Sequence, residues 1–184
     1  MIGPMIPSWA AALPALALLL VCAGAAKAAR PEGTARALRQ SGVPVGPALV
    51  RVGAGAEVIV GAAVLGRGGP VATAALAVSY IAFAGFVAHA LVRRLPLSSC
   101  GCFGVADTPP TAVHVVLCAA AGGVAAAAVM AGAPPGVGTV LSDLGPAPAV
   151  GYVVLSLTAA ATLYLVLAHA PRVVAMRQQL RSGS

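Results

Sequence analysis

From Val71 to Val92 the chain runs for 22 residues without one formal charge. About 20 residues of helix, rising about 1.5 Å each, cross the hydrocarbon layer of a bilayer. Within lipid only helices and closed barrels satisfy their own backbone. The chain shows no period-2 alternation, so a barrel is excluded and the stretch reads as a membrane-spanning helix. Four further apolar runs flank it, at about 9–26, 45–65, 111–131 and 149–170. The expected fold is an all-α membrane protein: a four-helix transmembrane bundle plus a fifth C-terminal transmembrane helix.

Composition supports this. Of the 184 residues, 60% are hydrophobic and 8% charged, against about 25% charged in soluble domains. A soluble core of this size cannot hide that much apolar surface. The 22 glycines and many alanines allow close approach between helices, which drives association where lipid is the solvent. Individual spacings such as Gly61 to Leu65 are too common in such a composition to carry weight.

The connections are rich in turn formers. Residues 27–44 are polar and basic, with a short interfacial helix expected over 34–40 and stop signals at Gly42 and Pro44. Gly66 to Pro70 is a tight turn, and 95–110 and 132–148 are loops. Pro171 is expected to end the fifth span, with a basic tail after it. No Lys or Arg precedes the first run, so it reads as a retained helix rather than a signal peptide.

The net charge is +7. The basic residues sit at the ends of apolar runs: Lys27, Arg30, Arg36 and Arg39, then Arg93 and Arg94, then Arg172, Arg177 and Arg181. That placement suits anionic headgroups, and with Arg67 alone on the opposite side it favours an outside N-terminus and an inside C-terminus. Nucleic acid is not an expected partner, since no aromatic–basic interleaving or binding motif accompanies the charge. There is no Walker loop, dinucleotide fingerprint or HExxH.

The strongest chemical signal is Cys100-Gly101-Cys102-Phe103-Gly104. Gly101 permits the tight turn that brings two thiols toward disulfide range. So small a ring is strained, and strained disulfides are readily exchanged. Arg93 and Arg94 nearby favour the thiolate. Three readings stand: a redox pair, a soft-metal ligand pair, or a structural or inert pair, although so short a loop stabilises little. The charge pattern puts this loop inside, whereas disulfide chemistry of exported proteins sits more naturally outside.

Glu57 lies about 12 residues into its span, with Lys27, Arg51 or a histidine as candidate partners. An ionisable group inside a span is a functional candidate by default; it serves either as a structural ion pair or as a proton relay or ligand contact. His114 and Cys118 share a face of the fourth span. His114 reads either as an acid–base partner near the cysteine loop or as a headgroup-layer histidine. Cys22 and Cys118 read as small hydrophobes, and His89 and His169 as interfacial.

Taken in order, Ala23-Gly24-Ala25-Ala26-Lys27, Gly42-Val43-Pro44, Ala56-Glu57-Val58-Ile59-Val60-Gly61 and Cys100-Gly101-Cys102-Phe103-Gly104 resemble the methylamine utilisation protein MauE family, within the DoxX-like group of small membrane proteins. The resemblance covers roughly residues 13–132, and the cysteine string is its most specific part. It implies a four-helix membrane module over about 9–132. It also implies a role in maturing an exported enzyme with a thioredoxin-like partner. In the namesake setting that enzyme is methylamine dehydrogenase, whose small subunit is rich in disulfides; the family also occurs where that enzyme does not. Cys100 and Cys102 carry over as the redox pair, with Glu57, His114 and Lys27 in support. The fifth helix lies beyond the match, and the loop after the motif (105–110) is short.

The expected function is a multi-pass cell-membrane component of a thiol–disulfide relay, acting with a thioredoxin-like protein and an exported client. No cofactor is specified, and a quinone dissolved in the bilayer is the one candidate. A non-catalytic assembly scaffold and a soft-metal binding protein are the competing readings; for the latter the loop shows no third ligand.

Overall fold

The computed structural model describes residues 9–95, 111–132 and 135–182, with side chains for 12–95, 111–132 and 135–167. Cys100 and Cys102 lie outside the described residues. Among the described residues seven helices appear in order: α1 (Trp9–Ala29), α2 (Pro31–Gln40), α3 (Pro47–Gly66), α4 (Pro70–Val92), α5 (Ala112–Met130), α6 (Val137–Asp143) and α7 (Pro146–Ser182). Among the described residues there is no strand, only an isolated bridge between Gly68 and Pro135. Five helices are long and apolar enough to cross a membrane: α1, α3, α4, α5 and the Pro146–Leu167 part of α7.

Local sequence sets the boundaries. Pro31, Pro47 and Pro70 stand at the first turn of α2, α3 and α4, where a missing N–H costs nothing. Between α3 and α4 the chain reverses through Gly68 and Gly69 at φ +66° and +89°, a left-handed backbone that favours glycine. The Gly136 N–H donates to the Arg67 carbonyl at 3.0 Å, tying the loop after α5 to this turn.

Two features depart from expectation. The loop after α5 contains the short helix α6. The last helix continues through Pro171 to Ser182; a proline removes one backbone hydrogen bond and can bend a helix without ending it.

The bundle is built from two antiparallel pairs, α1 with α3 and α4 with α5, with α7 leaning mainly on α1. Leu13, Leu16, Leu20, Leu76, Tyr80 and Cys118 fill the centre, among buried alanines such as Ala17, Ala77 and Ala125. Val52, Ile59, Val71, Val78, Val116 and Leu155 point outward and are exposed, as lipid-facing side chains should be. The Tyr80 hydroxyl donates to the Leu16 carbonyl at 2.7 Å in the buried centre, pinning α4 to α1.

The α1–α3 seam shows which glycines the packing uses. A Cβ at Gly24 would lie 2.7 Å from the Ala54 carbonyl oxygen, and one at Gly61 would lie 2.7 Å from that of Ala17. The helices meet backbone to backbone at these two glycines, and composition alone does not distinguish them from the rest. Gly24→Ala and Gly61→Ala are each expected to cost about 1–3 kcal/mol through overpacking. Gly55→Ala, which meets nothing within 4 Å, should be neutral by comparison. Unfolding in mixed detergent micelles measures the difference.

Candidate functional site

The connectivity gathers most of the described ionisable groups at one end of the bundle, with Arg67 and Asp143 toward the other. The end of α1, all of α2, the start of α3, the end of α4 and the start of α5 lie together. Leu95 and Thr111, which flank the cysteine-containing segment, are at this same end.

Glu57 stands ten residues into α3, about 15 Å along its axis. Lys27 stands near the end of α1, and its side chain turns inward along the bundle to reach Glu57. Lys27 Nζ donates to Glu57 Oε1 at 2.6 Å and lies 2.5 Å from Oε2. The second approach lacks hydrogen-bond geometry, so Oε2 accepts no hydrogen bond. Side-chain exposure is 4% for Lys27 and 15% for Glu57. The Lys27 ammonium also sits 4.4 Å from the centroid of the Phe83 ring, a cation–π distance. Phe83 is held edge-on by Tyr80, with centroids 6.1 Å apart.

Of the candidate partners that the sequence offered for Glu57, Lys27 is the one it meets. Its stem could have carried the charge out to water, but the carboxylate inside the span draws it in. Arg51 is not the partner of Glu57; its Nε donates to the Ala28 carbonyl at 3.3 Å.

The pair forms the floor of a cavity of about 250 Å³ between α2, α3 and α4. Thr34 and Leu38 of α2 roof it, Leu49, Gly53 and Ala54 of α3 form one wall, and Ala82, Phe83 and Phe86 of α4 form the other. Leu49 is 59% exposed and Ala82 is exposed, so the mouth opens sideways between α3 and α4.

His114 lies across Phe83 from this cavity. It is 2% exposed, buried within the bundle. Its Nδ1 is 3.0 Å from the Thr111 hydroxyl, which holds the ring instead of capping α5. His114 and Cys118 line a small apolar pocket with Leu19, Leu20, Tyr80 and Phe83. Phe83 thus separates two polar centres: Lys27 with Glu57 on one side, and His114 on the other. Neither Phe83 nor Tyr80 stood out in the sequence; their i, i+3 spacing on an uncharged helix reads only as core.

Among the described residues no group of three or more His, Cys, Asp or Glu side chains is placed to hold a metal ion.

Five spans, a lipid-facing apolar surface and a buried ion pair within the bundle define a multi-pass α-helical membrane protein. The family model for methylamine utilisation protein MauE matches residues 5–133, which takes in α1 to α5 and the cysteine string. The chain belongs to this family. Comparison with curated proteins and with solved structures gave no match.

Proposed function

We propose that this protein is a membrane thiol–disulfide relay component that assists maturation of exported proteins, with Cys100 and Cys102 as its redox pair. The observation that carries the reading is the position of the Cys-Gly-Cys string. It falls within the family match, and the described residues that flank its segment, Leu95 and Thr111, lie at the end of the bundle that holds the Lys27–Glu57 pair and His114.

The exchange needs no group beyond a dithiol partner. One thiolate of a thioredoxin-like protein attacks a sulfur of the Cys100–Cys102 disulfide, and the other cysteine leaves as a thiolate. The partner's second thiolate then attacks the mixed disulfide. Two electrons pass to the membrane protein, which becomes a dithiol, and the partner becomes a disulfide. The reverse sequence reduces a partner. An exported client is the final donor or acceptor.

The test uses the full-length protein in phospholipid nanodiscs, oxidised and then mixed with reduced thioredoxin. Stoichiometric oxidation of thioredoxin is expected, falling to background in the Cys100→Ser, Cys102→Ser double variant. Equal oxidation by that variant would sink the reading.

A further inference from the structure

We propose that the cavity between α2, α3 and α4 binds the ring of a membrane quinone or quinol, with Lys27 and Glu57 as its polar contacts. Four observations on this cavity converge on that class of ligand.

The first is access. The mouth lies between two membrane-spanning helices, at the exposed Leu49 and Ala82. An occupant therefore arrives from lipid, near the depth of the interfacial basic segment. The second is size. A volume of about 250 Å³ is below the roughly 300–1,000 Å³ of sites that enclose a whole drug-sized ligand. It suits a ring head whose tail stays in the bilayer.

The third is charge. Lys27 and Glu57 neutralise one another at 2.6 Å, so the floor is polar without net charge. A lipid phosphate would compete with Glu57 for the ammonium, and a cation would compete with Lys27 for the carboxylate; a neutral head does neither. The fourth is hydrogen-bond capacity. The Lys27 ammonium has three N–H donors; it donates to Glu57 Oε1 and lies beside Oε2. A further N–H of this ammonium can donate to a quinone carbonyl. Phe83 and Phe86 supply aromatic walls for a flat ring.

A larger cavity of about 500 Å³ between α1 and α7 is lined mainly by Leu, Ala and Cys22, without a charged group. It lacks every polar feature just named.

The redox role of the site rests on the relay reading, whereas its occupancy does not. In that role the Cys100–Cys102 dithiol gives two electrons and two protons to the quinone, leaving a disulfide and a quinol. The Lys27 ammonium holds the ring oxygen.

The experiment uses the full-length protein in nanodiscs and a short-chain azidoquinone photolabel, with decylubiquinone as competitor. Saturable labelling of α3 and α4 peptides is expected, displaced by decylubiquinone and not by added phosphatidylglycerol. Gly53 lines the cavity, and a Cβ there meets nothing within 4 Å. Gly53→Leu should fill the space, keep the wild-type unfolding midpoint, and weaken labelling at least tenfold. Labelling unchanged in Gly53→Leu, or displaced by phosphatidylglycerol alone, overturns the proposal. If the wild type oxidises thioredoxin but shows no saturable labelling, this site fails and the relay stands. If labelling is saturable and blocked by Gly53→Leu while the protein is inert to thioredoxin, the site stands and the relay fails.

Discussion

Serine at either Cys100 or Cys102 is expected to reduce thiol exchange to background, and the two single variants are expected to fail differently. A relay pair divides its labour between a cysteine that forms the mixed disulfide and one that resolves it. Removing the first leaves no covalent adduct. In the direction that reduces a partner, removing the second leaves the adduct without its exit, so a mixed disulfide accumulates with an activated thioredoxin-like partner that lacks its own second cysteine. Non-reducing electrophoresis should show a reductant-sensitive complex for one single variant and none for the double variant. Because the pair acts as a unit, the double variant should be no slower than the worse single one. If both single variants keep wild-type exchange, the two sulfurs are a staple or inert, and the scaffold reading replaces the relay.

The second large effect concerns the buried ion pair, and its size depends on which partner is removed. Lys27→Met leaves a carboxylate about ten residues deep in α3, with no other cation bonded to it. Breaking a buried pair in this way costs about 3–5 kcal/mol. Glu57→Gln leaves an ammonium only two residues from the end of α1, on a stem that can return to the headgroups. Its cost should be nearer the 1.5–3 kcal/mol of one hydrogen bond to a charged group. Lys27→Met combined with Glu57→Leu removes both charges and should recover stability to within about 1 kcal/mol of wild type, since apolar replacements of buried pairs are often neutral or better. Detergent unfolding of the three variants against wild type measures all three. Equal small losses in every variant would mean that the pair is solvated and places little constraint on the α1–α3 seam.

Much of the fold was legible because hydropathy and backbone satisfaction leave a membrane chain few options. Each of the five spans begins within a few residues of its apolar run, and Glu57 announced itself as a charge where lipid excludes charge. What the sequence left open shares a physical cause: it gives a residue's position along a helix but not the direction of its side chain. Lys27 was one of several candidate partners for Glu57, and only the α1–α3 register selects it. His114, one turn into α5, had two readings, and α4 is what buries it. Gly24 and Gly61 are two glycines among many, and the close approach at each depends on what faces it from the partner helix. Pro171 looks like a terminator because a proline costs the same hydrogen bond whether the helix ends or bends.

The measurement closest to the central claim is the redox state of Cys100 and Cys102 in native membranes. Cells carrying a variant that lacks Cys22 and Cys118 are quenched with acid, free thiols are blocked, and disulfides are reduced and tagged with a mass label. The relay account predicts a doubly tagged population that disappears after reductant treatment and returns when the reductant is removed. Thiols blocked in full before reduction, whether or not the cells have been exposed to oxidant, would contradict it.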